Sequence, residues 1–548
     1  MPRPARRMPR PAAMIVAPQP EAVEAGAEAL AAGGSALDAV LACALTQGVV
    51  DPMMCGLAGL GVLTLFDPRT GGTTVLDALS TCPAAATPTM WVDRYLGECS
   101  DGYGYRLRDA VNEIGHGAVT TPGILRLMDL VHRRWGRLPW RGLFDAAVGH
   151  AEGGWAIRPH VHYMFTADEA AYGRLSMLDK LAFTAEGRAL YLREDGTPKR
   201  PGEAVRNPAM AATLRAVAEG GAEAFHDGPI AEVIAKGMAA HGGLLSRADL
   251  AGFRVTETAP LRIAFRGFSI AVPPPPTGGI VVAEALTILS RFDLAAMGHN
   301  SAEFIRVVTG AMRIALADRE AHIGDPVLHP PPLRELLSDD YADACADRIR
   351  RGETARALTL SGEPRDTTTI SAVDADGMVA TMTHTLGIPS GVIPPGTGIM
   401  LNGAMNWYDP RPGRPGSIAP GSKRFSSMAP LMVFDGEKPV VTLGAPGGAW
   451  IGVALIQVLL NLLEFGMGMQ EAVQAPRFSA TTPAIDVSNR IPRRVTAELE
   501  RRGHEVKRSA FSYPFAAPHG IALWDGRLEG GADPQRDGMA LAVERNAG

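Results

Sequence analysis

Residues 367–385 constrain this chain more than any other stretch. Thr367-Thr368-Thr369-Ile370-Ser371-Ala372-Val373-Asp374 alternates and is rich in β-branched residues, Asp376-Gly377 is a strong turn signal, and Met378 to Thr385 alternates again. The pattern predicts a β-hairpin. Paired without a bulge about a centre near residue 376, it sets Thr367 opposite Thr385. Residues directly opposed on one face of a ladder carry Cβ atoms about 4.5–5.5 Å apart, so two hydroxyls there can interact. A Thr hydroxyl is a weak nucleophile without an adjacent base. One solution makes the residue an amino terminus, so that its own α-amine serves as that base. Here this requires cleavage between Asp366 and Thr367. Thr-rich strands are more often ordinary half-exposed sheet, so the hairpin alone does not establish chemistry.

A second feature points the same way. Gly444-Ala445-Pro446-Gly447-Gly448 follows a predicted strand, Val440 to Leu443, and precedes a helix beginning near Ala449. Paired glycines at a helix start can present backbone N–H groups to a developing oxyanion, although most such glycines merely turn the chain.

The remaining sequence sets limits. With 548 residues and 46% hydrophobic content, the chain can form two or three domains or one large layered body. The net charge is −5 and the basic residues are dispersed, which argues against a nucleic-acid partner. Five cysteines (Cys43, Cys55, Cys82, Cys99, Cys345) without a CxxC argue against a disulfide scaffold or zinc site and fit a reducing compartment. The basic, Pro-rich opening lacks the apolar core of a signal peptide, so the expected location is cytoplasmic. Ile451 to Leu463 is too short to span a bilayer and carries Gln457 and Asn461, so it reads as a buried core helix, with no membrane partner.

Residues 1–18 read as a disordered tail, followed by helices over Pro20 to Ala32 and, capped by Ser35, through Gln47. Val62 to Phe66 and Thr73 to Leu76 suggest a hairpin, and helical patterns dominate from Ile124 to about Leu358, with strands near Ala251 to Val272. At about Arg365 the character changes to Gly- and Pro-punctuated β sequence. Periodicity alone leaves an α/β and an α+β layered fold both open.

Taken together, these features resemble the γ-glutamyltransferase family, in which a precursor cleaves itself before the Thr that opens a Thr-Thr-x-x-Ser-x-Val-Asp strand. Thr367 occupies that place. The resemblance runs through Ala25-Gly26, Gly33 to Ala39, Pro273 to Gly279, Ala317-Asp318-Arg319, Gly324-Asp325-Pro326 and Pro395 to Ile399. It continues through Ser426-Ser427-Met428, Gly444 to Gly448, Ala475-Pro476-Arg477-Phe478 and Asp533-Pro534. It implies an α+β fold, a four-layer αββα sandwich of the N-terminal-nucleophile hydrolase type. It also implies self-cleavage at Asp366/Thr367 into a large subunit (19–366, behind the tail) and a small catalytic subunit (367–548). Thr367 would carry the acyl ester, Thr385 would support it, Gly447 and Gly448 would form the oxyanion hole, and Ser426 and Ser427 match serines that bind the substrate carboxylate.

The chain departs from the family at the substrate. Leu79-Ser80-Thr81-Cys82-Pro83 stands where members that use glutathione have Arg-Glu-Thr-Ala-Pro, Gly387 stands where an Asn is common, and Asn402-Gly403-Ala404-Met405-Asn406-Trp407 replaces an Asn-Asn-Gln-Met-Asp-Asp type stretch. Leu79, Gly387, Ala404 and Trp407 are thus expected to line a more apolar pocket, left open because Tyr408 to Lys423 is too short for a lid. The expected function is a self-processing amidohydrolase or acyltransferase acting on a small-molecule amide other than ordinary glutathione. The alternatives are a true γ-glutamyl transferase or glutathione hydrolase, and a non-catalytic binding member. The expected partners are its own two subunits, with a homodimer of processed units possible in addition, and no cofactor is implied. His160-Val161-His162 reads as two imidazoles on one strand face without a third ligand, so no metal is assigned. His384 should point away from Thr385. Gly56 to Gly61 does not have dinucleotide-loop spacing; in the family it lies near the active site, which places Cys55 either along the pocket or, as a buried thiol, in the core.

Overall fold

In a computed structural model describing residues 12–100, 104–353, 367–524 and 526–544, the Thr-rich segment is a hairpin in the expected register. Thr368 lies opposite His384, Thr369 opposite Thr383 and Val373 opposite Val379. Asp374 closes its turn, Oδ1 accepting from the N–H groups of Asp376 (2.9 Å) and Met378 (3.0 Å), while Gly377 takes φ 88°.

This hairpin lies within a seven-stranded sheet ordered 539–543, 13–17, 368–373, 379–385, 60–67, 72–78 and 256–258. A six-stranded sheet is ordered 527–532, 519–524, 438–444, 431–435, 268–272 and 261–265. Strand alternation separates the faces. On one face of the first sheet, Ile370, Ala372, Ala380 and Met382 pack with residues of helices Pro20–Ala31, Ala36–Val50, Ile124–Trp135 and Asp145–Gly153. On the other, Val16, Phe66, Val373 and Val379 meet Ala271, Met432, Phe434 and Ile521 of the second sheet. That sheet's remaining face, including Ile270, Leu431, Val433, Val441 and Leu443, packs on helices Gly279–Leu289, Ala302–His322 and Ile451–Leu463.

Several sequence expectations coincide with observed elements. The helices Pro20–Ala31 and Ala36–Val50 are present, the second opened by a capping box between Ser35 and Asp38. Strands Leu60–Asp67 and Gly72–Ala78 form the earlier hairpin, and the helix Ile451–Leu463 has the expected bounds and is buried. Two readings are corrected. Ala13–Ala17, placed in the tail, is a buried strand paired with Met539–Val543 and with the Thr-rich hairpin. Its five residues gain their partners only from distant segments. His160 and His162 lie on a helix, Pro159–Phe165, not a strand; Pro159 fits the first turn, where no N–H is needed. Among the described residues, no helix is long and apolar enough to cross a membrane, and no group of three or more His, Cys, Asp or Glu could hold a metal ion.

One buried carboxyl sits in the second helical layer. Glu284 is raised well above the usual carboxyl range by burial and then by Asp318, which itself accepts from the Tyr341 hydroxyl at 2.5 Å. The folded state therefore holds a proton that the unfolded chain releases above about pH 4.3. The associated stability is present at low pH and is lost as pH rises toward the folded value. Glu284→Gln, whose amide can donate to Asp318, is expected to match the wild type near pH 4.5 and to melt a few degrees higher at pH 9; differential scanning fluorimetry across pH checks this.

Candidate active site

The site is built at the open end of the Thr hairpin. Thr367 is buried and has φ 86°, a left-handed conformation costing a β-branched residue about 1–3 kcal/mol unless its surroundings hold it there. Two contacts do so. Arg536 Nη1 donates to the Thr367 carbonyl at 3.5 Å, and Gln47 Nε2 donates to the neighbouring Thr368 Oγ1 at 2.9 Å. The ladder register carries Thr385 to the position opposite Thr367. Thr385 Oγ1 accepts from the Gly387 N–H at 2.8 Å, so its own proton remains available to a second oxygen. Close packing fixes Thr385, since a Cβ on Gly59 would lie 2.4 Å from its carbonyl oxygen. His384 faces the other way, as strand alternation requires, with Nε2 bonded to Gln47 Oε1 at 2.8 Å. Burial lowers its pKa to about 3, so it is neutral at ordinary pH.

Across the sheet interface, the strand Lys438–Gly444 delivers the glycine loop. A Cβ on Gly444 would lie 2.2 Å from Thr369 Oγ1, so only glycine fits beside the hairpin. Gly447 and Gly448 take φ 141° and 53° and open a short turn, Gly448–Trp450, that runs into the helix Ile451–Leu463. Ala516 backs this loop, and the Ala517 N–H donates to the Pro446 carbonyl at 3.1 Å. Phe515 and Ala516 both have left-handed φ, 67° and 63°, and Arg477 Nη2 holds the Ala516 carbonyl at 3.2 Å. The same nitrogen pairs with Asp533 at 2.6 Å in a fully buried ion pair. Asp533 opens the turn Pro534–Arg536, whose last residue reaches Thr367. One chain of contacts therefore runs from the loop of Gly447 and Gly448 to Thr367.

The residues expected to face substrate also converge. Leu79, Ala404 and Trp407 share a buried apolar cluster with Leu60, Ile388 and Met428, and Leu60 pairs with Thr385 across the strands. Gly387 has φ 70°, and a Cβ there would lie 2.5 Å from the Trp407 ring. Ser426 and Ser427 precede Met428; Ser426 N donates to the Pro276 carbonyl at 2.8 Å, and Ser427 packs against Gly278. The Arg424 guanidinium stacks 3.4 Å from the Trp407 ring centre. A cavity of about 300 Å³ opens on that side, lined among others by Trp407, Arg424, Phe425, Tyr105, Arg319 and Asp409.

Asp366 lies outside the described residues. Cys55 is buried, and its thiol is pushed well up by burial, which disfavours the reactive thiolate. His162 Nδ1 is 3.0 Å from the Lys199 carbonyl oxygen, a structural contact. Sequence reasoning missed Gln19, Gln47, Asp51, Arg424 and Arg536. The available signals were faint: Gln47 is the lone amide of a mostly apolar helix, and Arg536 closely follows Asp533-Pro534.

The family model described as Gamma-glutamyltranspeptidase matches residues 22–543. The Acylase ACY 1 proenzyme of Pseudomonas sp. (strain V22) is 35% identical over 519 residues, covering 92% of this chain and 89% of that protein. The Glutathione hydrolase proenzyme of Bacillus subtilis (strain 168) is 28% identical over 532 residues, covering 92% and 87%. Among solved structures, cephalosporin acylase from Bacillus halodurans superposes with a TM-score of 0.86 at 26% identity, covering 100% of this chain and 99% of that one. With a family match spanning nearly its whole length, the chain belongs to the gamma-glutamyltranspeptidase family.

Proposed function

We propose that this chain is a self-processing amidohydrolase or acyltransferase that uses Thr367 as an N-terminal nucleophile on an amide other than ordinary glutathione. The observation that carries the substrate reading is the apolar cluster of Leu79, Ala404 and Trp407 beside Gly387, where the family's resemblance leads one to expect an Arg and amide or carboxylate groups. Two sheets meeting face to face, each with helices on its outer side, support the four-layer αββα arrangement. The proenzyme names of the relatives support cleavage between Asp366 and Thr367, giving the subunits 19–366 and 367–548.

In the mature protein, the Thr367 α-amine takes the proton as Oγ1 attacks the amide carbonyl. The tetrahedral oxyanion receives N–H groups from Gly447 and Gly448. Collapse breaks the C–N bond, the leaving amine departs with the proton, and the acyl group is left as an ester on Thr367. Water, or a second amine, then attacks the ester and regenerates the hydroxyl. Thr385 donates to Thr367 Oγ1 and holds it in line. Ser426 and Ser427 orient the acyl group near the pocket wall.

The substrate reading is tested by comparing p-nitroanilides of straight-chain acyl groups with γ-glutamyl p-nitroanilide. Each charge-assisted hydrogen bond missing at the head group costs about 1.5–3 kcal/mol, so kcat/KM for the γ-glutamyl compound is expected to be lower by at least about tenfold. Equal or faster γ-glutamyl turnover would favour the activity named for the glutathione hydrolase relatives. Trapping the acyl group as a mass adduct on the fragment that begins at Thr367 tests the ester directly.

A further inference from the structure

A buried polar set behind the hairpin takes no part in the chemistry described so far. Asp51 ends the helix Ala36–Val50 and is fully buried. Its Oδ2 accepts from Gln19 Nε2 at 2.5 Å, and its Oδ1 has no hydrogen-bond partner among the described residues. Gln19 Oε1 accepts from Gln47 Nε2 at 2.9 Å. Gln47 in turn holds Thr368 and His384, the cross-strand pair next to Thr367 and Thr385. On its other side Asp51 lies in the field of Arg158 and Arg536. Arg158 is paired with Glu21 and Asp537, and Arg536 donates to the Thr367 carbonyl at 3.5 Å and to Met54 Sδ at 3.2 Å. Asp537 also acts on Asp51, raising its pKa, and Cys55, His160 and His519 lie near this set, each kept neutral at ordinary pH by burial.

We infer that Asp51 is a positioning residue for Thr367, acting through Gln19 and Gln47 on the strand end that carries it. This rests on the reading of Thr367 as the nucleophile. Two anchors then converge on one strained residue, one at its carbonyl and one at the next side chain. A charge-assisted hydrogen bond is about twice as strong as a neutral one, so loss of the Asp51 charge weakens its hold on Gln19 and, through Gln47, loosens the strand end at Thr367. Misplacement of a reacting group by about 1 Å can cost about a hundredfold in rate. Burial, opposed by Arg158 and Arg536, pushes the Asp51 carboxyl up to about 6, so the charge is present above that pH and lost below it.

The test uses the full chain carrying Asp51→Asn or Asp51→Glu, with self-cleavage, kcat, KM and the pH profile from 5 to 9 measured on an acyl p-nitroanilide. Asp51→Asn is expected to cleave more slowly, to lose about tenfold or more in kcat at pH 8 with little change in KM, and to lack the acidic limb near pH 6 that the wild type shows. Asp51→Glu is expected to recover part of the rate and the limb. A folded, cleaved Asp51→Asn enzyme with wild-type kcat and an unchanged pH profile overturns the inference. If Asp51→Asn fails to fold or to cleave, Gln19→Leu decides, because it cuts the link to Gln47 and leaves the carboxylate: lowered kcat with the acidic limb near pH 6 lost supports the inference, and unchanged kcat or a retained limb overturns it. Failure of the wild type itself to cleave sinks the nucleophile reading instead, so the two failures are distinct.

Discussion

Thr367→Ala is expected to remain a single chain and to lose turnover of acyl anilides by at least about 10³-fold, the scale seen when a covalent nucleophile is removed. The substitution deletes the one atom that would form the acyl ester. It also removes the hydroxyl that would attack the preceding peptide bond during maturation, so processing and turnover should fail together. Thr367→Ser keeps a hydroxyl and is expected to cleave and to retain measurable activity. In the uncleaved chain its smaller side chain sheds the β-branched strain at φ 86°, and loss of the methyl leaves Oγ1 free to sample more rotamers. Denaturing gel analysis and anilide kinetics on the three proteins check the result; an uncleaved Ala variant that still turns over substrate would assign the chemistry elsewhere.

The second large effect is expected at Gly447. Its φ of 141° is one that L side chains rarely adopt, and an added Cβ would lie 2.4 Å from the Ala516 Cβ. Gly447→Ala therefore has to move either the loop or the Phe515–Ala516 turn, which Arg477 and Asp533 hold in place. Displacing a backbone donor from the oxyanion costs about 10²–10³ in kcat. We expect that loss in deacylation as well as acylation, since both pass through a tetrahedral oxyanion. Stopped-flow kinetics separates the two steps, and a thermal melt near that of the wild type excludes general unfolding as the cause.

Much of the candidate site was legible in the sequence because its signals are local. Alternation plus Asp376-Gly377 fixes the hairpin and its register, and with it the opposition of Thr367 and Thr385. The capping box at Ser35 and Asp38 fixes the start of the helix that carries Gln47. The parts that were not legible depend on partners far away in the chain. Ala13–Ala17 is a strand because Met539–Val543 and Thr368–Val373 flank it, and the five residues alone do not reveal that setting. Gln47 and Thr368 are 321 positions apart and Arg536 and Thr367 169 apart, so no spacing rule connects them. The strand reading of His160 and His162 failed for a related reason: a seven-residue helix opened by Pro159 is too short to show a period.

The most direct test of the account is the intact mass of the purified wild-type protein after incubation near neutral pH. The account predicts two species whose masses sum to the full chain plus one water, the smaller beginning at Thr367 and ending at Gly548. A single uncut chain, or a cut at any other bond, would contradict it.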